Sequence, residues 1–303
     1  MDMNEAIQKA QVLIEALRYI RTFRNHHTVI KLGGSAMEDP AALRTTLEAV
    51  VFMETVGLRP ILIHGGGKPI DRAMAASGLK PQKIQGRRVT DPDTLAIVVR
   101  VLREEINTGI VQQIRELGGR AVGLHTGPLQ ALFGHKLLLP GDDGTLIDLG
   151  QVGEVTSVDG EMILDFAAAG RIPVIPSLAI GGDGGWLNIN ADTAASAVAA
   201  NLKAEKFILL TDTPGILRDR NDPTSLLTSL DAEDCRQLIA DGIIDSGMIP
   251  KVEACLDSLR QGVLKTHIVD GRLRYSLLLE IYTHSGVGTE IVLTRAERAI
   301  PRR

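Results

Sequence analysis

The chain has 303 residues, a net charge of −4, 44% hydrophobic residues and 23% charged ones. These are the proportions of a globular protein able to bury one large α/β unit or two lobes. No long basic run offers a nucleic-acid or anionic-membrane surface, and no stretch reaches the roughly 18 apolar residues of a membrane span. The first residues lack a basic segment leading into an apolar core, so a cytoplasmic protein is expected. Cys235 and Cys255 lie in helix-like segments, outside any C-x-x-C or Cys/His cluster, which suits buried spectator thiols in a reducing compartment.

Residues 4–24 carry Ile7, Ala10, Ile14 and Leu17 at helical spacing, widened by Leu13, Ile20 and Phe23. Arg18, Arg21 and Arg24 gather where the negative end of the helix dipole falls. This helix precedes the first strand, so it is either a packed N-terminal helix or an arm gripping another subunit. The stretch Thr28-Val29-Ile30-Lys31-Leu32-Gly33-Gly34-Ser35 then runs an apolar strand into a lysine and two glycines. A cation beside slim backbone at a strand's end suggests a phosphate site, although Gly-Gly also serves as a plain tight turn. The lysine precedes its glycines, which excludes a Walker loop.

From there apolar runs at 29–32, 61–64, 121–124, 172–175, 206–210 and 266–269 alternate with amphipathic stretches. The helical stretches fall near 40–56, 68–77, 92–117, 161–169, 191–203, 231–241, 250–261 and 272–282, several opened by cap signals such as Asp39-Pro40 and Asp91-Pro92. The alternation predicts an α/β protein, a three-layer αβα sandwich around a mostly parallel sheet. Residues 132–160, rich in Gly and Asp, read as a hairpin or lid on the sheet's edge, and 177–190 as a further hairpin.

Four more stretches carry chemistry. His64-Gly65-Gly66-Gly67 repeats the strand-to-glycine-turn pattern, with amide N–H groups free to converge on an oxyanion; tight strand–helix packing is the alternative. Arg87 and Arg88 offer planar forks that match carboxylates. Asn188, Asn190 and Asp192 place three polar side chains before an alanine-rich helix, more than one N-cap requires. Thr211-Asp212-Thr213-Pro214-Gly215 ends another strand. In Gly247-Met248-Ile249-Pro250-Lys251, a lysine sits in a first helical turn, where a nearby anion would rationalise it.

Taken in order, Lys31-Leu32-Gly33-Gly34, His64-Gly65-Gly66-Gly67, Gly86-Arg87-Arg88-Val89-Thr90, Asn188-Ile189-Asn190-Ala191-Asp192, the 210–215 turn and the 247–251 segment resemble the N-acetylglutamate kinase branch of the amino-acid kinase superfamily. The resemblance implies ATP-dependent phosphorylation of the side-chain carboxylate of N-acetyl-L-glutamate, with magnesium held mainly through the ATP phosphates and no protein metal site. Lys31 and Lys251 would neutralise the transferring phosphoryl group, and Asp192 would position both. Gly66, Gly67, Arg88, Asn188 and Asn190 would bind the substrate. Gly33, Gly34, Gly65, Thr211, Asp212 and Gly215 would meet the phosphates and nucleotide. The nucleophile is already a carboxylate, so alignment and charge neutralisation suffice without a general base.

The N-terminal helix and the segment 278–289 are similar to the arginine-inhibited members. That likeness implies Glu280, Gly286, Gly288, His267 and Tyr19 as an arginine site, and interlaced N-terminal helices joining three dimers into a hexamer. The implied organisation is an oligomerisation helix (1–27), a substrate and dimerisation lobe (28–205) and a nucleotide lobe (206–303). Two departures stand out: Gly123-Leu124-His125-Thr126-Gly127-Pro128-Leu129-Gln130 replaces a Ser-Gly-Lys-Asp-Gly-like segment, which bears on substrate fit, and Leu32 stands where those members carry Tyr. Two other readings are a kinase for an N-acyl-2-aminoadipate or carrier-linked amino acid, told apart by the pocket around Arg88 and His125, and a non-catalytic arginine-sensing module. A dinucleotide-dependent oxidoreductase is excluded by the lack of a helix-opening G-x-G-x-x-G.

Overall fold

The computed structural model describes residues 3–141, 144–245, 247–283, 286–294 and 296. In chain order, helix α1 (Met3–Phe23) leads into β1 (His27–Leu32), α2 (Gly34–Glu38), α3 (Pro40–Thr55), β2 (Arg59–His64) and α4 (Gly67–Ala76). A ribbon of β3 (Lys83–Ile84) and β4 (Arg87–Arg88) precedes α5 (Pro92–Arg100), a π-helical segment (Val101–Asn107) and α6 (Thr108–Glu116). Then come β5 (Ala121–Gly123), β6 (Leu132–Pro140), β7 (Leu146–Val158), α7 (Gly160–Ala168), β8 (Ile172–Pro176), β9 (Leu178–Gly181), β10 (Trp186–Ile189) and α8 (Ala191–Asn201). The last part holds β11 (Lys206–Thr211), β12 (Ser229–Asp231), α9 (Ala232–Ala240), α10 (Ile249–Arg260), β13 (Lys265–Asp270), α11 (Ser276–Tyr282) and β14 (Thr289–Val292).

Eight strands form the central sheet in the order β12-β14-β13-β11-β1-β2-β8-β5. Every neighbouring pair is parallel except β13–β14. The central strands β1, β2, β8 and β11 are almost wholly buried, as continuous apolar runs in parallel sheets require. Alternation along β1 and β11 splits their side chains between two cores: Val29, Phe207 and Leu209 pack with Ile163, Val198 and Val252 of α7, α8 and α10. Ile30, Leu32, Ile208 and Leu210 pack on the opposite face with Val50, Ile114 and Ile281 of α3, α6 and α11, joined by Tyr19 and Phe23 of α1. The result is the expected αβα sandwich.

Local chemistry sets the helix starts. Asp39 accepts from Ala41 N at 2.8 Å with Pro40 at the first helical position, and Asp91 accepts from Thr94 N at 2.7 Å ahead of Pro92. All six expected strands lie in the sheet. The hairpin expected on its edge instead joins β9 and β10 in a small closed barrel, β10-β7-β6-β9, because Asn188 and Ile189 pair with Val152 and Gly153 while Phe133 and Gly134 pair with Ile180 and Gly181. The expected helix 92–117 is continuous but widens into the π-helical segment. The helix expected from 272 starts at Ser276, since Tyr275 holds φ 57 and Arg272 turns back on Asp270 through N at 2.9 Å. The short strands β12, at the edge of the sheet, and β14 beside it were not anticipated.

Leu62 lies at the centre of β2 with no exposure. Leu62→Ala is expected to cost about 2–5 kcal/mol of stability, read as a lower urea midpoint at unchanged slope.

Candidate active site

Strand alternation puts Lys31 on the same side of β1 as Val29, facing the helical layer that contains α8, at the carboxyl end of the strand. Asn190 caps α8: its Oδ1 accepts from Asp192 N at 2.9 Å and Thr193 N at 3.1 Å. Asp192 is therefore free of capping, and its side chain, nine-tenths buried, meets Lys31 Nζ at 2.8 Å through Oδ1 and Lys251 Nζ at 3.3 Å through Oδ2. Lys251 stands in the first turn of α10, where the helix dipole disfavours a cation; Asp192 is the anion that offsets it. Burial opposes ionisation of Asp192, but the paired ammonium groups outweigh it and hold the carboxyl below its ordinary range.

Two pockets adjoin this triad. The first, about 250 Å³, is lined by Lys31, Gly34, the Gly65–Gly67 turn, Arg88, Asn188 and Asn190 among others. Four lining residues are cations (Lys31, Lys83, Arg87 and Arg88) and none is acidic, which suits a ligand with more than one anionic group. The second, about 440 Å³, is lined by Thr211, Asp212, Gly215, Lys251 and Asp245, with an apolar wall of Pro214, Ile216, Ile243, Ile244 and Met248. That is room for a flat apolar group beside a charged tail. Lys31 belongs to one pocket and Lys251 to the other, with Asp192 bridging them.

Arg88 is fixed from several sides: Nη2 pairs with Asp71 and donates to the Gly67 carbonyl at 3.3 Å, and Nη1 lies 3.1 Å from Met74 Sδ. Asn188 Nδ2 donates to Thr90 Oγ1 at 3.1 Å, and Thr90 Oγ1 donates to the Arg88 carbonyl, so the two candidates share one short network. Gly33 lies outside the pocket linings. A Cβ there would collide with the Leu210 carbonyl oxygen, so glycine permits the close approach of β1 to β11. Gly215, at φ 142, leaves space for Thr289, whose Oγ1 accepts from Ile216 N at 2.8 Å.

His125 accepts from Arg103 Nε at 3.3 Å, and neither it nor any other residue of the departure at 123–130 lines the first pocket. Asp71 and Asp245 escaped the sequence reading. Asp71 carries no turn or cap signal, because its partner Arg88 comes from a distant ribbon. Asp245 accepts from Met248 N at 2.8 Å, just ahead of α10, a cap-like contact that was in principle readable.

The proposed effector residues also converge. His267 Nδ1 and Glu280 Oε1 are 2.7 Å apart, and Glu280 Oε2 accepts from Val287 N at 2.7 Å and Gly288 N at 2.9 Å. Tyr19 and Phe23 close over them with Lys206, around a cavity of only about 10 Å³. Burial pushes the Lys206 ammonium down to about 8, against the pull of Glu290, and it lies 4.7 Å from the Phe23 ring centroid. Gly286 is in the same segment at φ 63, whereas His284 and Ser285 lie outside the described residues.

A mostly parallel αβα sandwich with a buried lysine–aspartate–lysine cluster at its carboxyl rim defines an α/β protein with a cationic anion site; the chain belongs to the amino acid kinase family, whose profile matches residues 27–270. More particularly, it is similar to the acetylglutamate kinases of Heliobacterium modesticaldum, at 44% identity over 96% of this chain and all of that one. Similarity to that of Acaryochloris marina is 46% over 95% and 99%. Among solved structures, N-acetylglutamate synthase from Neisseria gonorrhoeae superposes on 94% of this chain. Its complex with coenzyme A and N-acetyl-glutamate gives a TM-score of 0.83 at 26% identity, and this chain spans 63% of that one. Its complex with coenzyme A and L-arginine gives 0.79. Carbamate kinase from Giardia lamblia, at 15% identity and TM-score 0.63, shares the fold.

Because the folded pKa of Asp192 is depressed, its ionised form contributes stability above the ordinary carboxylate range, and that contribution is lost as pH falls through the folded value. Asp192→Asn leaves two lysines without their counter-charge. The gap in urea midpoint between wild type and Asp192→Asn is expected to be widest near pH 7 and to shrink towards about pH 3.

Proposed function

We propose that this chain phosphorylates the side-chain carboxylate of N-acetyl-L-glutamate with ATP, forming an acyl phosphate in arginine biosynthesis. The observation that carries the reading is the single buried carboxylate, Asp192, holding one lysine in each of two adjoining pockets. The cationic first pocket takes the dianionic acceptor, with Arg88 and Asn188 holding its carboxylates and Asn190 at its inner end. The second takes the nucleotide, with its base against the apolar wall and the 211–215 turn beside it. Gly34 and Gly65–Gly67 offer backbone N–H groups to the transferring phosphoryl.

One carboxylate oxygen of the acceptor bonds to the γ-phosphorus as the bridging oxygen leaves with ADP, and no proton has to move. The work of the site is alignment and neutralisation by Lys31 and Lys251, one on each side of the transferring group. Asp192 keeps both ammonium groups in place. Magnesium enters as part of the nucleotide substrate. Both Asp192 oxygens face lysines, so this carboxylate is engaged by cations of the protein, and the ion is read as held mainly through the ATP phosphates.

The chain is read as a substrate lobe (28–205) and a nucleotide lobe (206–303), working in the cytoplasm; no described helix is long and apolar enough to cross a membrane. Arginine is read as a feedback inhibitor at the His267–Glu280 site, its cationic end on Glu280. The likeness to a synthase seen with L-arginine supports that reading. The cavity there, about 10 Å³, is too small for arginine and is walled by Tyr19 and Phe23, so on this reading the end of α1 moves to admit it. The same helix leaves Ile7, Leu13, Ile14 and Leu17, which helical spacing puts on one side, at 37–70% exposure, a face suited to pairing with α1 of a second copy and so to joining dimers into a hexamer.

Acyl phosphate trapped with hydroxylamine, from N-acetylglutamate and ATP, tests the reaction. Lys31→Ala and Lys251→Ala are each expected to lower kcat at least about a hundredfold while KM moves much less, and near-normal turnover would refute the assignment. For regulation, wild type is expected to lose activity sigmoidally with L-arginine and Glu280→Ala to lose that response. Removing residues 1–25 should reduce the mass seen by light scattering, and an unchanged mass refutes the arm.

A further inference from the structure

The mechanism leaves one buried ring unused. His64, the last residue of β2, has no exposure, and burial pushes its imidazole down to about 4, so at neutral pH the ring is uncharged and carries one proton. Its neighbours decide which nitrogen holds it. Asn107 Nδ2 lies 3.0 Å from the Val174 carbonyl oxygen and 3.0 Å from His64 Nε2. A backbone carbonyl only accepts, so the amide must present its NH₂ to Val174. The other hydrogen of that NH₂ then faces Nε2, which has to be the accepting nitrogen. The ring proton is left on Nδ1, 3.2 Å from the Gly65 carbonyl oxygen, to which it donates.

Peptide planarity gives that last bond its reach. In a trans peptide the C=O and N–H of one unit point in opposite directions. Holding the Gly65 carbonyl on the buried His64 ring therefore turns the Gly66 N–H the other way, where Gly65–Gly67 line the acceptor pocket. Among the described residues no backbone carbonyl meets that N–H. The peptide lies between two glycines, where rotation of the plane meets little steric resistance, so its orientation has to be imposed from outside.

The fold is shaped to impose it. Asn107 closes the π-helical segment, a widened turn of a kind often found at functional sites. That segment packs so tightly on the glycine turn that a Cβ at Gly66 would lie 2.8 Å from Leu102 Cδ2 and 2.9 Å from Ile106 Cδ1. Asn107 Oδ1 is buried without a partner, while a side chain at Gly123 would overlap it. An orphaned acceptor is a cost the structure accepts while the NH₂ stays on Val174 and His64.

We propose that Asn107 and His64 are positioning residues of the transfer reaction, a relay from Val174 through the two side chains to the Gly65 carbonyl that aims the Gly66 N–H at the anion in the acceptor pocket. This rests on the reading of that pocket as the phosphoryl-accepting site. The relay touches no substrate and moves no proton.

The full-length protein tests it in two ways. Nitrogen-15 NMR of the wild-type histidines is expected to show His64 as the Nδ1–H tautomer, and that population should fall in Asn107→Leu. In the acyl-phosphate assay, Asn107→Leu and His64→Leu are expected to lose about tenfold to a hundredfold in kcat with KM within about threefold of wild type. His64→Asn, which puts an amide NH₂ near the Nδ1 position, should recover most of the loss. An Nε2–H tautomer in wild type, a Leu variant with wild-type kcat, or a His64→Asn no better than His64→Leu would each overturn the relay. If the Leu variants fail to fold, the wild-type tautomer decides. A wild type that makes no acyl phosphate would instead overturn the reaction assignment while leaving the tautomer result standing.

Discussion

One carboxylate with two lysines is the constraint from which the rest of the site follows. Like charges repel strongly away from water, and Lys31 and Lys251 are separated in sequence by most of the protein, so something must hold both in a place neither would choose alone. Asp192 does so with one oxygen each, from the first turn of a helix whose own capping is carried by Asn190. That division of labour between adjacent polar residues leaves the carboxylate unspent. The three groups carry a net charge of +1, which a phosphoryl group arriving between the pockets would meet.

The sheet supplies the geometry. Parallel strands deliver their carboxyl ends to one rim, and the glycine turns after β1 and β2 open there alongside the turn after β11. Alternation within β1 points Lys31 towards the layer that carries both α8 and α10. A one-residue shift of β1 would send the lysine to the opposite core and bring Leu32 to the site. Ile30 and Leu32 on one face and Val29 on the other therefore fix the position of the ammonium group as firmly as any direct contact does.

Much of this was legible in the residues. Central strands were readable as uninterrupted apolar runs, and helix starts as Asp-Pro pairs, because both signals are local. Lys31, Asp192 and Lys251 each looked weak in isolation and became persuasive in order. The small barrel was hidden because β7 is long and bulged, and its pairing with β10 spans residues that sequence spacing does not connect. Asp71 was invisible for the same reason: its meaning lies in Arg88, 17 positions later on another element. The π-helical segment was read as ordinary helix, since a widened turn keeps the same apolar and polar alphabet. The departure at 123–130 was legible as a departure, but only the fold shows that none of its residues lines the first pocket and that His125 turns to Arg103.

The pairing of β1 with β11 has a mechanical consequence. Their ladder, from Thr28↔Lys206 to Lys31↔Leu209, runs directly beneath the junction of the two pockets, and the Gly33–Leu210 approach draws the strands together at that end. A floor built in this way is stiff against shear and bending, so the two pockets share one unyielding bench. What differs between them is the wall: β7 and β10 of the barrel bound one pocket, and residues 212–217, 243–245 and 247–248 bound the other.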